Sequence, residues 1–462
     1  MRAALVTAVL ALGAAFPRAA LTAEPDASVG TEARKSYEIP ALEIVGFDIF
    51  LNRYNRFFSR SRSDYAVSAT SIRKNLRSSW DTDNDPFRTN QLGHPYQGSM
   101  YHGFARSAGL SYWESLGYAF AGSAAWEIAG ENTRPSRNDQ ISSGVGGTFL
   151  GEALFRMSSL VLEKSDGSPR FWREAAAALI SPATGFNRLA FGDRFDKVFP
   201  SNNPVYYSRV GLGAIGTTKN IQGPSSTELR RNEVQADFLL DYGLPGNPNY
   251  GYKRPFDYFT FQATASSANT FENVMTRGLL VGNEYEEGKH FHGIWGLYGS
   301  YDYISPQTFR VSSTALSLGT TFERRLSDRV VLQGSALAGM GYAAAGTVKS
   351  ASETDYRYGV TPQALLAMRL IFGDTASLDV TGREYFVKHA TSGGRGGHDN
   401  IARADVTLTM RVHKEHAIAI KYLWNRRDVT YPDIGNRTQE RGTFGIFYTL
   451  LGHEHFGAVD WR

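Results

Sequence analysis

Cysteine is absent from all 462 residues, which excludes disulfides, thiolate nucleophiles and Cys metal sites. Long hydrophobic runs are missing too. Beyond the first residues, no segment offers the roughly 20 consecutive apolar residues that a spanning helix needs. Nor is charge of one sign in excess. Lys and Arg number 49 against 45 Asp and Glu, and a net +4 over this length gives no case for nucleic acid. No His-Glu-x-x-His occurs, so the helical zinc-protease pattern is excluded. A mean hydropathy of −0.32 reads as soluble. It does not exclude a membrane barrel, because only every second strand residue faces lipid.

What is present, from about Tyr206 onward, is alternation in twos. In 401–413, Ala402, Ala404, Val406, Leu408, Met410 and Val412 share one face, and Arg403, Asp405, Thr407, Thr409, Arg411 and His413 share the other. Twelve such segments are expected, at about 205–215, 232–243, 256–266, 274–285, 290–303, 308–323, 329–342, 356–371, 376–388, 401–413, 416–428 and 441–451. A soluble β-sandwich also alternates, but these strands are longer than ordinary globular ones, and Tyr, Phe and Trp flank their ends. The expectation is a mainly β chain with an α-helical N-terminal domain. Its core is an antiparallel transmembrane barrel of about 12 strands, with the helices as a plug or a periplasmic cap. The chain ends Val459-Asp460-Trp461-Arg462 rather than on the aromatic common in such barrels, which predicts a short tail after the last strand.

Four regions are expected. Residues 1–23 read as a secretory signal, with Arg2, an apolar run over 3–15 and small residues to Ala23. Residues 24–79 form an N-terminal segment, amphipathic or partly disordered, in which 41–58 reads as a helix or an early strand. Residues 80–200 form a helical domain, and 201–462 the barrel. Helical periodicity marks 111–128, 139–160 and 170–180. The second of these carries Ser143, Gly144, Gly147 and Gly151, small residues that let another backbone approach closely.

The most unusual residues fall in the helical region. They are Trp80-Asp81-Thr82-Asp83-Asn84-Asp85-Pro86-Phe87, then Asn90-Gln91 and His94-Pro95-Tyr96-Gln97-Gly98. Further on come Arg106, Trp126-Glu127, Glu131, Pro135-Ser136, Asp139, Gly151-Glu152 and Arg156. The order Asp-x-Asp, Asn-Gln, His-Pro-Tyr-x-Gly, Trp-Glu, Pro-Ser-x-x-Asp and Gly-Glu resembles an uncharacterised bacterial domain-of-unknown-function family of predicted outer-membrane proteins. The resemblance spans roughly Trp80 to Arg156. It implies export and carries no catalytic residue with it.

From the residues alone, several chemistries compete. His94 with Ser136, or the Glu127/Glu131 pair, are the candidates for hydrolysis, although Pro135-Ser136 is not a Gly-x-Ser-x-Gly elbow and reads more simply as a helix start. Asp81, Asp83 and Asp85 are the metal candidates. They open like a calcium loop, but Pro86 stands where Gly is required. Glu127 and Glu131, at i and i+4, either share a proton, hold a cation, or pair with Arg106, Arg134 or Arg156. As binding or plug-anchoring residues, Asp81, Asp83, Asp85, Asn90, His94, Tyr96, Arg106, Glu127, Glu131, Asp139, Glu152 and Arg156 would meet luminal Arg403, Asp405, Arg383 and Asp379.

The leading expectation is an outer-membrane barrel of a Gram-negative bacterium that binds or transports a small amphiphile or solute. The alternatives are an embedded hydrolase of lipid or envelope glycan, and a structural envelope protein. Whether the chain is an enzyme stays open. No cofactor is predicted. The expected partners are outer-membrane lipid and the barrel-assembly machinery, with the cargo unspecified and no nucleic acid.

Overall fold

The computed structural model describes residues 35–59, 61–83, 85–163, 170–221, 232–347, 354–389, 396–431, 435–452 and 455–459. The expected signal at 1–23 lies outside them. Twelve strands close into one antiparallel barrel: β1 (Tyr206–Ile221), β2 (Asn232–Tyr242), β3 (Phe259–Ser266), β4 (Asn273–Glu287), β5 (Phe291–Ile304), β6 (Phe309–Ser327), β7 (Val330–Thr347), β8 (Tyr356–Phe372), β9 (Ala376–Lys388), β10 (His398–His413), β11 (His416–Tyr431) and β12 (Gly435–Leu451). Each strand pairs with its sequence neighbours, and closure comes from β1 lying antiparallel to β12, Val210 opposite Leu450. No edge strand is left to be covered. One rim carries the short turns 288–290, 328–329, 373–375 and 414–415 together with the longer segment 243–258. At the other rim, the long-loop rim, successive strand ends stand further apart in sequence, as between Ile221 and Asn232, Thr347 and Tyr356, and Lys388 and His398.

Alternation decides which way each side chain faces. On β10, Arg403, Thr407 and Thr409 are buried while Val406 and Met410 are exposed on the outer wall. The inward charges neutralise one another across the barrel. Arg369 on β8 reaches Asp241 on β2 at 2.8 Å and Asp379 on β9 at 2.6 Å. Lys421 lies 3.2 Å from Asp405 and 3.5 Å from Asp237, and Arg441 lies 2.6 Å from Glu233. A cavity of about 120 Å³ remains among Arg209, Asp241, Arg277, Arg369 and Asp379. The tail after β12 folds back into this lumen. Phe456 is fully buried, Gln333 donates to the Gly457 carbonyl at 2.8 Å, and the Val459 amide donates to Glu323 at 3.1 Å.

Ahead of the barrel, the described residues form eight α-helices: α1 (Glu38–Phe58), α2 (Ala69–Arg77), α3 (His94–Ser107), α4 (Tyr112–Ala125), α5 (Arg137–Ile141), α6 (Gly147–Glu163), α7 (Arg170–Ile180) and α8 (Pro182–Phe191). The segment expected to be amphipathic or partly disordered thus contributes two helices to the same domain. α4 starts on a capping box, in which the Ser111 amide donates to Glu114 at 2.7 Å and the Glu114 amide to Ser111 at 3.3 Å. The predicted small residues bring α3 and α6 together: a Cβ on Gly147 would lie 2.7 Å from the Gly98 Cα. Single π-turns at Thr89–Gly93, Trp126–Gly130 and Ser142–Gly146 interrupt the helices, a feature common near functional sites.

The helices lie against the outer wall of the barrel. Exposed Trp295 marks the outward parity of β5, and Gly299, Tyr301 and Tyr303 share it. Exposed Leu366 and Val360 mark it on β8, and Tyr358 and Tyr356 share it. Exposed Val234 marks it on β2, and Leu240 and Tyr242 share it. These outward side chains pack with Phe87, Phe149, Leu150 and Met157 of the helical domain in one apolar cluster. Tyr242 ends β2 at the short-turn rim and Tyr356 begins β8 at the long-loop rim, so the covered strip crosses the wall from rim to rim. The expected bridges from helix carboxylates to luminal Arg403, Asp405, Arg383 and Asp379 do not form, because these four side chains line the cavity inside the barrel while the helices lie on its outer wall. A lumen plug therefore does not describe these helices. What enters the lumen is the C-terminal tail.

Candidate functional site

The polar residues of the motif region gather where the helical domain meets the long-loop rim. His94 comes from the first turn of α3, Glu127 from the π-turn after α4, and Asp139 from α5. All three are buried, at 6%, 4% and 1% exposure, and ligand-type atoms of the three lie within 4.8 Å of one another. His94 Nε2 stands 4.0 Å from Asp139 Oδ2, too far for a hydrogen bond, and His94 Nδ1 has no partner. The Ser136 amide donates to Glu127 Oε2 at 2.7 Å, fixing that carboxylate. Asn138 donates to Asp83 (3.0 Å), Asp139 (3.0 Å) and the Tyr358 hydroxyl (2.8 Å), tying the cluster to the barrel wall. Asn90 adds contacts with Tyr356 at 3.0 Å and Tyr358 at 3.2 Å.

Electrostatically this cluster is unbalanced. Burial first, then Asp139, pushes Glu127 well above the usual carboxylate range. Burial and then Asp83 do the same to Asp139. Burial also raises Glu131 and Asp85. A second buried cluster in the same domain is the opposite. Glu152 on α6 accepts from Arg106 at 2.8 Å and Arg156 at 2.8 Å and lies 3.0 Å from His102. Burial alone would raise Glu152, but Arg106, His102 and Arg156 reverse that and hold it well below the usual range. Arg156 continues to Asp257 at 3.0 Å and to the Pro255 carbonyl at 2.7 Å, in the 243–258 segment at the short-turn rim. Phe199, on the connection into β1, lies beneath the guanidinium groups of Arg106, Arg156 and Arg254.

Several expectations need correction. Ser136 is no activated nucleophile. Its hydroxyl donates to Asn138 at 2.8 Å and accepts the Asp139 amide at 3.2 Å, which is a helix cap. Glu127 and Glu131 do not pair with Arg106, Arg134 or Arg156. The π-turn between them turns Glu131 away to accept from Trp126 Nε1 at 2.9 Å and Thr133 at 3.1 Å. Asp81, Asp83 and Asp85 do not converge as a calcium loop. Asp81 is exposed beside Arg134 at 3.7 Å and bridges by its backbone to Ser136. Tyr96 is 45% exposed on α3, away from the cluster of buried groups. Of the proposed anchoring residues, Asn90 and Arg156 do join helices to barrel, but through outward Tyr356 and Tyr358 and through Asp257. Those three and Asn138 were missed. The run Tyr356-Arg357-Tyr358 at a strand start, aromatic at both outward positions, was the available signal.

Residues 79–183 match the family model described as a domain of unknown function (DUF3943). That match contains His94, Glu127, Asp139, Glu152 and Arg156, so both buried polar clusters lie within the region that defines the domain. No curated protein matches the chain. Among solved structures, it is similar to the CymD monoaromatic hydrocarbon channel, at 9% identity over 55% of this chain and 90% of that one, with a TM-score of 0.23. The outer membrane channel DcaP of Acinetobacter baumannii gives 7% identity over 53% and 96%, with a TM-score of 0.24. A TodX monoaromatic hydrocarbon channel mutant gives 12% over 60% and 94%, with 0.21. At those scores the likeness carries no argument about cargo, and barrel closure rests on the strand register above.

Proposed function

We propose that this is an outer-membrane protein of a Gram-negative bacterium that binds a membrane amphiphile laterally, on its helical domain, instead of passing a solute through its lumen. The observation that carries this reading is the position of the His94–Glu127–Asp139 cluster against outward-facing Tyr358, outside a lumen filled by paired charges and the tail. Apolar helix surface supports it. Leu42, Ile49, Phe50, Phe57 and Phe58 of α1, and Leu179 and Leu189 of α7 and α8, are exposed on a domain that covers barrel wall beside exposed Leu318, Met340 and Val360. Acyl chains are the natural cover for such a surface, and the buried polar cluster beside it suits a headgroup. With long loops facing outward, as is usual in these barrels, the cluster lies toward the outer leaflet.

A second reading, hydrolysis of a lipid or envelope glycan, is favoured by Glu127 and Asp139, buried carboxyls pushed above the usual range, the direction a general acid requires. The test is photo-crosslinking of the purified protein in lipid nanodiscs with a diazirine fatty-acyl phospholipid. Adducts on α1, α7, α8 and the 79–98 segment are expected. Adducts confined to luminal strand residues, together with steady solute conductance in planar bilayers, would overturn the lateral reading.

A further inference from the structure

We infer that His94, Glu127 and Asp139 form a binding site for one divalent cation of the Zn²⁺ or Mn²⁺ class. One imidazole and two carboxylates already converge within 4.8 Å from three separate elements, α3, the π-turn after α4, and α5. A ring nitrogen and two oxygens suit borderline cations better than Ca²⁺, which collects six to eight oxygen ligands. Three protein ligands leave a coordination position open for water or a headgroup oxygen.

The second observation is the histidine itself. His94 is 94% buried by difference from its 6% exposure, its Nδ1 has no partner, and its Nε2 is aimed at Asp139 from 4.0 Å. A buried ring nitrogen such as this Nδ1, left without a hydrogen bond, is costly unless something binds the group. The carboxylates tell the same story by contrast with Glu152. The domain supplies two buried arginines and a histidine to that one carboxylate, within 3.0 Å or less. Among the described residues, no Lys or Arg pairs with Glu127 or Asp139, although Asp83, Asp85 and Glu131 add further negative charge around them. A dication would compensate this concentration of carboxyls. The Ser136 amide orients Glu127 and Asn138 orients Asp139, as partners of metal ligands commonly do.

This inference stands independently of amphiphile binding, and its test reads metal alone. Untagged full-length protein in detergent is dialysed against Zn²⁺, Mn²⁺ or Ca²⁺, and bound metal is measured by elemental mass spectrometry alongside heat-modifiable mobility. One equivalent of Zn²⁺ or Mn²⁺ per chain is expected, in preference to Ca²⁺. His94→Gln and Asp139→Asn should each weaken binding by about tenfold or more while the folded band persists. The wild type also serves by itself, should those variants fail to fold: Co²⁺ should give a visible absorption band of mixed nitrogen and oxygen coordination that added Zn²⁺ abolishes. Wild-type protein without stoichiometric metal and without that band, or binding unchanged in both variants, overturns the assignment.

Discussion

Arg156 Nη1 lies 3.0 Å from Asp257 Oδ1, and this buried contact joins the helical domain to the short-turn rim of the barrel. Arg156 also holds Glu152 at 2.8 Å, so a single guanidinium serves both units. Replacing it with Met removes one partner from two buried carboxylates, a change that costs about 3–5 kcal/mol. The expected result is a helical domain cut by protease at concentrations that spare the wild type, while the barrel keeps its heat-modifiable mobility. Equal protection of both proteins would contradict the role given to Arg156.

Gly299 sits on the outward face of β5 with the Phe149 ring directly over it, leaving no room for a Cβ. Gly299→Leu should therefore push α6 off the wall at a cost of about 1–3 kcal/mol, and Phe149→Ala should cost about 3–5 kcal/mol by opening a cavity. Urea titration followed by Trp fluorescence measures both. A neutral Gly299→Leu would mean that the helices do not occupy that face.

Docking of α1 should weaken as pH rises. Burial raises Asp48 from 3.8 to about 7, against the lowering effect of its hydrogen bonds with Tyr101 and Gln97, and burial raises Glu43 to about 8. A carboxyl whose folded pKa is raised contributes its stability fully below the unfolded value, and that stability is lost as pH climbs through the folded one. For Asp48 the window runs from about 4 to about 7, worth on the order of 4 kcal/mol at most. Hydrogen exchange of α1 amides at pH 5.5 and 8.5 should show faster exchange at the higher pH, and Asp48→Asn should reduce the difference. Exchange free energies that are independent of pH would refute this.

The lumen should conduct poorly while its tail is in place. Truncation after Gly452 removes Phe456 and the contacts to Gln333 and Glu323, emptying one mouth of the barrel. Planar-bilayer recording should find ion conductance in the truncated protein well above that of the full chain. Large steady conductance from the full chain would count against a closed lumen.

Much of the barrel was legible because its strands report their own geometry. Alternation at 401–413 and at the other segments gave all twelve strands, since a residue one step along must face the other way, although β1 runs on to Ile221 and β12 begins at Gly435, six residues beyond the expected ends. The helices 111–128, 139–160 and 170–180 were legible from apolar spacing, although π-turns divide the first two. α3 was not: His94-Pro95-Tyr96-Gln97-Gly98 has weak helical propensity, and tertiary burial overrides it. The side of the wall on which the helices lie could not be read either. Tyr301, Tyr303, Tyr356 and Tyr358 have the same outward parity whether lipid or protein covers them. The candidate site was half visible. His94, Glu127 and Asp139 were each singled out, but their convergence depends on a π-turn and a short cap that leave no periodic mark in sequence.

The most direct test of helices on the outer wall uses the absence of cysteine. An ideal Cβ on Gly146 lies 3.9 Å from the Cβ of outward-facing Thr314, within the span of a disulfide, while Ser313 beside it points into the lumen. The pair Gly146→Cys with Thr314→Cys, oxidised in native membranes and run on a non-reducing gel, should form a bond that closes a loop and shifts mobility. Gly146→Cys with Ser313→Cys should not. Cross-linking through position 313 and none through 314 would place the helices inside the barrel and contradict the account.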